Sequence, residues 1–320
     1  MSGAPTLGGG ALARPGIRPQ AADDAVSDAQ EQTREAFGFK WAKRDTYESP
    51  AVRETARRWL FERYCGGDPA LLDGWLEGGR KLIVDAGCGA GFSAELFFGE
   101  RLRDHDYLGI DISTATEVAR ERFAEAGLPA DFLQAGIFEA PLPDGSVDLI
   151  FSEGVLHHTD STERALKHLA AKLAPGGRFL FYVYVKKAVI REFTDDYVRE
   201  QIRPLSDEEA WAALEPLTEL GRALGELNVT LDVPADIPFL GIRKGPVDLQ
   251  RFFYWNVCKL YYRPDFTLGE MNHINFDWFR PLNCQRQTPE EVARWCAEAG
   301  LEVERMDVQE AGITVVARRG

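Results

Sequence analysis

Residues 84 to 93, VDAGCGAGFS, place three alternating glycines behind an aspartate, and no other stretch of the chain restricts the fold as sharply. The run before it, Lys81-Leu82-Ile83-Val84, reads as a short buried strand, and the run from Phe92 to Phe98 reads as the start of a helix. The glycines therefore occupy a strand-to-helix turn. Such a turn presents unpaired helix N–H groups and a positive dipole end to whatever lies above it. Glycine lets a ligand come close because no Cβ stands in the way. The stretch reads as a cradle for a cofactor.

The rest of the chain repeats the strand–helix rhythm. Strands are expected at 81–86, 106–110, 130–134, 147–152 and 178–185, with helices at 92–100, 114–126 and 161–173 between them. Asp160 is the expected N-cap of the last, with Glu163 three residues on. This alternation predicts an α/β fold with a doubly wound, mostly parallel sheet. Residues 1–30, rich in Gly, Ala and Pro, read as a disordered tail. Residues 31–79 form an N-terminal helical cap, including a helix near 50–65, and 80–185 form the core. The rhythm breaks at 186–287, a piece too long for a bare loop and so expected to be a folded lid that forms the substrate pocket. Thr288-Pro289-Glu290-Glu291 restores it with an N-cap, a proline at the first helical position and a glutamate at the third. Residues 288–320 then complete the core with a helix ending at Gly300 and two antiparallel edge strands, LEVERMDV and GITVVARR.

Composition excludes several classes. The formal net charge is −14, from 51 acidic and 37 basic residues, which argues against nucleic acid as a partner. No apolar run is long enough to span a bilayer, and the N-terminus lacks the apolar core of a secretory signal, so a cytoplasmic protein away from the membrane is expected. The five cysteines show neither CxxC pairs nor zinc spacing, and no metal site is expected.

The spacing of the turn selects the cofactor. A dinucleotide fingerprint needs G-x-G-x-x-G, and from Gly87 its third glycine would fall at 92, which is Phe92. The pattern is instead Asp85, Gly87, Gly89, Gly91. A carboxylate beside the turn repels a pyrophosphate but suits an ammonium group. A ligand with a cationic amino-acid end and a nucleoside end fits, which describes S-adenosyl-L-methionine. Asp111, at the end of LGID about 26 residues further on, can accept both ribose hydroxyls. With VDAGCGAGFS, LGIDIS, FLQAGIFEAPLPDGSVDLIFSEGVLHHT and LAPGGRFLFYVY in this order, the chain resembles a class I S-adenosylmethionine-dependent methyltransferase. The resemblance implies a Rossmann-like seven-stranded sheet. It also implies that Gly87, Cys88 and Gly89 lie under the cofactor, Asp85 near its amino group and Asp111 on its ribose. Ile112, the Gln134–Ile137 turn flanking the adenine with Gly136 and Ile137, and Ser152 and Glu153 complete the expected contacts. Many members carry an acid where this chain has Gly136, so the adenine contact is expected from the backbone or from elsewhere.

His157 and Glu153 follow the fourth strand at the carboxyl edge, where doubly wound sheets place their sites, and His273 lies in the lid; these three are the catalytic candidates. In the aromatic stretch 252–286 and just before it, Arg251, Tyr254, Asn275, Trp278, Arg280 and Arg286 are the substrate-binding candidates, with the arginines suited to clamp a carboxylate or phosphate. Phe39, Trp41 and Tyr47 are placed to fold over the cofactor. The resulting expectation is methyl transfer to an O, N or C nucleophile of a small, anionic molecule from secondary metabolism or surface-sugar biosynthesis. A non-catalytic relative that binds S-adenosylmethionine and acts through a partner is one alternative. An NAD-dependent oxidoreductase is the other. An aromatic lid surface can support a homodimer.

Overall fold

Leu82-Ile83-Val84 is apolar on both faces, and the strand it opens, β1 (Leu82–Ala86), is buried along its whole length, Asp85 included. A computed structural model describes residues 10–14, 17 and 26–320. β1 is followed by β2 (Asp106–Asp111), β3 (Asp131–Gln134), β4 (Val147–Glu153) and β5 (Leu173–Tyr184). β6 (Thr230–Val233) and β7 (Gly245–Asp248) pair apart from the main sheet, and β8 (Leu301–Val308) and β9 (Gly312–Arg319) close it. The seven-stranded order is β3-β2-β1-β4-β5-β9-β8. The first five strands run parallel, and β9 enters antiparallel between β5 and β8. The fold is thus the doubly wound α/β sheet that the alternation predicted.

Period-2 alternation sorts the sheet residues to two cores. Val84, Ile110, Ile150, Phe179 and Val315 pack against α6 (Thr162–Lys172) and α11 (Pro289–Glu298). Ile83, Tyr107, Leu149, Phe151 and Leu180 pack on the other side against α2 (Pro50–Cys65), α3 (Pro69–Leu76), α4 (Phe92–Phe98) and α5 (Ala115–Glu125). α1 (Asp28–Ala42) lies outside these layers and joins a third core, through Ala36 and Phe39, with residues of the segment after β5.

That segment contains α7 (Val189–Ile202), α8 (Asp207–Glu226), the β6–β7 pair, α9 (Leu249–Asn256) and α10 (Leu268–Phe279). α10 packs along α8 through a buried amide network. The Thr218 hydroxyl donates to Asn272 Oδ1 at 2.7 Å, and the Asn275 amide donates to Thr218 at 2.8 Å. Asn275 Oδ1 in turn accepts from the Tyr261 N–H at 3.0 Å. The segment begins and ends at one place: Val185 bridges Gln287, and the Gln287 N–H donates to the Tyr184 carbonyl at 2.9 Å.

Two local expectations change. α6 is capped by Ser161, whose hydroxyl accepts from the Arg164 N–H, rather than by Asp160, which instead accepts from Ser27 and Asn283. Of the expected tail, residues 1–9, 15–16 and 18–25 lie outside the described residues. Residues 10–14 are tied down. The Ala11 and Leu12 N–H groups donate to the Asp131 carboxylate at 3.0 and 2.9 Å, and Arg14 pairs with Asp106 at 2.8 Å.

α11 starts as its sequence predicts, with a reciprocal capping box between Thr288 and Glu291. Thr288→Ala is expected to lower stability by about 1 kcal/mol, the usual worth of such a cap. A urea midpoint identical to that of the wild type would show the cap to be idle.

Candidate active site

The glycine turn owes its shape to close packing as much as to openness. Gly87, Gly89 and Gly91 all hold left-handed backbone, at φ of 88°, 50° and 69°. A Cβ at Gly87 would overlap the Val155 side chain; one at Gly89 would stand 2.6 Å from the Trp41 indole nitrogen, and one at Gly91 2.8 Å from Phe123. Beside the turn, the Asp111 carboxylate accepts from the Gly89 N–H at 2.8 Å, from the Ser113 N–H at 2.8 Å and from the Ser113 hydroxyl at 2.6 Å. Burial raises its pKa, and these three donors oppose the rise.

Gly87, Asp111, Ile112, Gly136, Ile137 and Glu153 line one cavity of about 800 Å³. The other expected cofactor residues sit behind this surface. Asp85 is buried on the Tyr107 side, accepting from its hydroxyl at 2.8 Å, because β1 alternation turns it away from Val84's face. Burial pushes its carboxyl up to about 7. Cys88 is buried against Gly109, and Ser152 donates to the Ala86 carbonyl at 2.8 Å. The Gly89 N–H is occupied by Asp111, and Trp41 covers its Cα face and also lines the cavity. Phe39 and Tyr47 pack instead on Phe276 and Phe92.

Gly136 has a substitute. A Cβ there would collide with the Glu139 carboxylate, so Glu139 fills the space that a side chain at 136 would take. It also lines the cavity. The sequence carries no acid at 136, and the acid three residues on was the available signal that one reaches this space.

Two of the three catalytic candidates are placed away from the cavity. His157 is fully buried behind Tyr184, with ring centroids 3.8 Å apart, and neither ring nitrogen has a partner among the described residues. His273 is enclosed by Trp41, Tyr47 and Trp211. The Thr46 hydroxyl donates to the Lys43 carbonyl, so it accepts from His273 Nδ1 at 2.8 Å. Glu153 does face the cavity, but Arg63 and the Tyr64 hydroxyl both hold its carboxylate at 2.5 Å. The neighbouring His158 lines the cavity. Its Nδ1 lies 2.6 Å from the Asn283 carbonyl, which can only accept, so Nδ1 carries the hydrogen and Nε2 keeps a lone pair with no partner among the described residues. Burial pushes its pKa down to about 4.

The segment 186–287 roofs the cavity. Of the substrate candidates, Arg251, Tyr254 and Trp278 line it. The others do not. Asn275 is spent in the α8–α10 network. Arg280 is paired with Asp207 at 2.6 Å, and Arg286 with Glu192 and Asp196, each at 2.8 Å. Cations that sequence reading passed over line it instead: Lys40, Arg63, Lys187, Arg191, Lys259 and Arg263. Lys187 and Arg191 sit just past the carboxyl end of β5, which was the one available signal. Asp277 accepts from Lys40 and, at 2.8 Å, from the Tyr184 hydroxyl, tying α1, β5 and α10 together.

Residues 84–181 match the family described as "Methyltransferase domain". Together with the sheet order and the glycine turn, this makes the segment a class I S-adenosylmethionine-dependent methyltransferase domain. An uncharacterised protein of Synechococcus is 38% identical over 147 residues, 43% of this chain and 33% of that protein. An uncharacterised methyltransferase of Mycobacterium bovis is 34% identical over 116 residues, 36% of this chain and 57% of that protein. A Mus musculus protein named "Probable tRNA methyltransferase 9B" is 34% identical over 116 residues, 35% of this chain and 24% of that protein. The chain thus spans less than two thirds of the length of these curated relatives. A tRNA methyltransferase name among them corrects one inference from composition: net charge alone does not exclude a nucleic-acid acceptor for a domain of this class. No helix among the described residues is long and apolar enough to cross a membrane.

Proposed function

We propose that the chain transfers a methyl group from S-adenosylmethionine to a small anionic acceptor held beneath residues 186–287. A product of secondary metabolism or of surface-sugar assembly suits that description. The observation that carries this reading is continuity. Gly87, Asp111 and Gly136 share a single cavity with Tyr254, Trp278 and the basic side chains of the roof.

The residues present fit the cofactor. Asp111 would hold the ribose hydroxyls, Gly87 admits close approach, and Glu139 would accept from the adenine amine in place of a side chain at 136. When bound, S-adenosylmethionine supplies a methyl group on a sulfonium, open to in-line displacement. The chain's own work is alignment and exclusion of water, worth several kcal/mol in favourable cases, up to about 7–11. Trp41 closes the cavity over the turn from the α1 side. His158 is our candidate proton acceptor, because the residue lines the cavity, is neutral near pH 7 and has no partner for Nε2 among the described residues. Arg63, held between Glu153 and the Tyr182 ring 4.2 Å away, fixes the wall near the end of β4.

Calorimetric titration of S-adenosylmethionine into the wild type and Asp111→Ala tests this reading. Binding to the wild type should weaken at least tenfold in the variant, about 1.4 kcal/mol. A wild type that does not bind overturns it.

A further inference from the structure

We propose that Lys187, Arg191 and Lys259 form a site for a doubly charged oxyanion, a phosphate ester group carried by the acceptor. The proposal rests on the reading of this cavity as an acceptor chamber, but its test does not pass through the cofactor.

The three side chains come from separate stretches and converge. Lys187 follows β5, Arg191 lies in the first turn of α7, and Lys259 lies in the extended chain after α9. All three line the cavity. Their cationic groups stand 5.4, 5.3 and 5.0 Å from the centroid of one indole, Trp278. The indole face steadies cations without neutralising them.

What opposes this charge is already committed. Asp195 takes Arg191 Nε at 3.1 Å, Trp278 Nε1 at 2.8 Å and the Lys259 N–H at 3.0 Å. Asp277 takes Lys40 and Tyr184. Glu192 and Asp196 are matched by Arg286 and Arg199. Around the Trp278 indole, Lys187, Arg191 and Lys259 face Asp195, Asp277 and, beside Lys187, Glu192. Burial pushes the Lys187 amine down to about 6 and that of Lys259 to about 7, so an anion seated among them would restore the full charge of both lysines.

Unspent donors complete the argument. Arg191 is 1% exposed, yet its Nη1 has no hydrogen-bond partner among the described residues. Tyr261 also lines the cavity, and its hydroxyl is buried without a partner among the described residues. Lys259 Nζ makes no ion pair there, and Lys187 Nζ reaches only the carbonyls of Glu310 and Ala311. Buried cations left unpaired are costly, and an anion that arrives with the ligand removes that cost. A phosphate monoester carries two charges where a carboxylate carries one, and it accepts from Arg and Lys together.

The test uses the full chain and inorganic phosphate, sulfate and acetate at matched ionic strength. Phosphate and sulfate should raise the wild-type melting temperature, and acetate should not. Lys259→Met should melt higher than the wild type without added anion, because repulsion is relieved, and should bind phosphate at least tenfold more weakly. Lys259→Arg should restore the phosphate response. Equal responses to acetate and phosphate, or an unchanged phosphate response in Lys259→Met, overturn the site. S-adenosylmethionine titrated separately keeps the two readings apart. Cofactor binding without a phosphate response removes only the anion site, and a phosphate response without cofactor binding removes only the proposed transfer.

Discussion

Asp277→Ala should cost about 3 kcal/mol of folding stability at neutral pH, read from urea unfolding. Removing one member of a buried ion pair generally costs about 3–5 kcal/mol, because the partner is left charged and desolvated. The lower end applies because the Asp277 side chain is 24% exposed, while its partner Lys40 is only 5% exposed. The same pair dictates a pH dependence. Burial alone would raise the Asp277 carboxyl, but Lys40, with His158 and Lys259 nearby, holds it far below the usual carboxylate range. The Tyr184 hydroxyl also faces it and donates to it. A carboxyl with a depressed folded pKa stabilises fully above its unfolded value, near ~4, and that stabilisation fades as pH falls below it. Wild-type stability should therefore drop between about pH 5 and pH 3, and Asp277→Asn should show a shallower drop. Parallel curves for the two proteins would mean that the pair contributes nothing.

Gly87→Ala should be damaging twice over. Its φ of 88° forces an L residue into left-handed backbone, about 1–2 kcal/mol. Its new methyl would overlap Val155, and overpacking typically adds about 1–3 kcal/mol. The turn must shift, and S-adenosylmethionine affinity should fall more than tenfold because Gly87 lines the cavity. The double variant Gly87→Ala, Val155→Ala separates the two causes: it should recover the packing part and leave the backbone part. A single variant within about 0.5 kcal/mol of the wild type, the range of an ordinary surface change, would refute the argument.

The contrast between these residues explains what the sequence made legible. Gly87 depends on a backbone shape that one residue type permits and the Thr288 cap on a partner three positions away, so spacing alone exposed them, whereas Asp111 was singled out by its place at a strand end and takes the Gly89 N–H 22 residues off. Arg280 and Arg286 carry the right chemistry for an anion clamp, but their partners, Asp207 and the Glu192–Asp196 pair, lie 73 or more residues away and consume them. His157 and His158 are adjacent in sequence and opposite in fate, since a single 3-10 turn puts one behind Tyr184 and the other on the cavity wall. Lys259 was invisible for the same reason. Its companions Lys187 and Arg191 are more than sixty residues earlier, and only the closure of α7, α9 and α10 around Trp278 brings them together. Residue type gives the chemistry a side chain can do; the fold decides which side chains still have that chemistry to spare.

The bridge between Val185 and Gln287 has a consequence for change over time. A segment whose two ends meet in a hydrogen-bonded pair is a closed loop of chain, joined covalently to the sheet only at its stem although it also packs on α1 through Asp277 and Lys40. Lengthening such a loop costs little, about 0.6 kcal/mol for each doubling. Insertions at exposed positions within residues 186–287, away from the contacts that Asp277, Asn283 and Gln285 make with the rest of the chain, should thus leave the sheet that carries Asp111 in place. Growth there is cheap wherever it spares the few side chains that pin the loop to its neighbours.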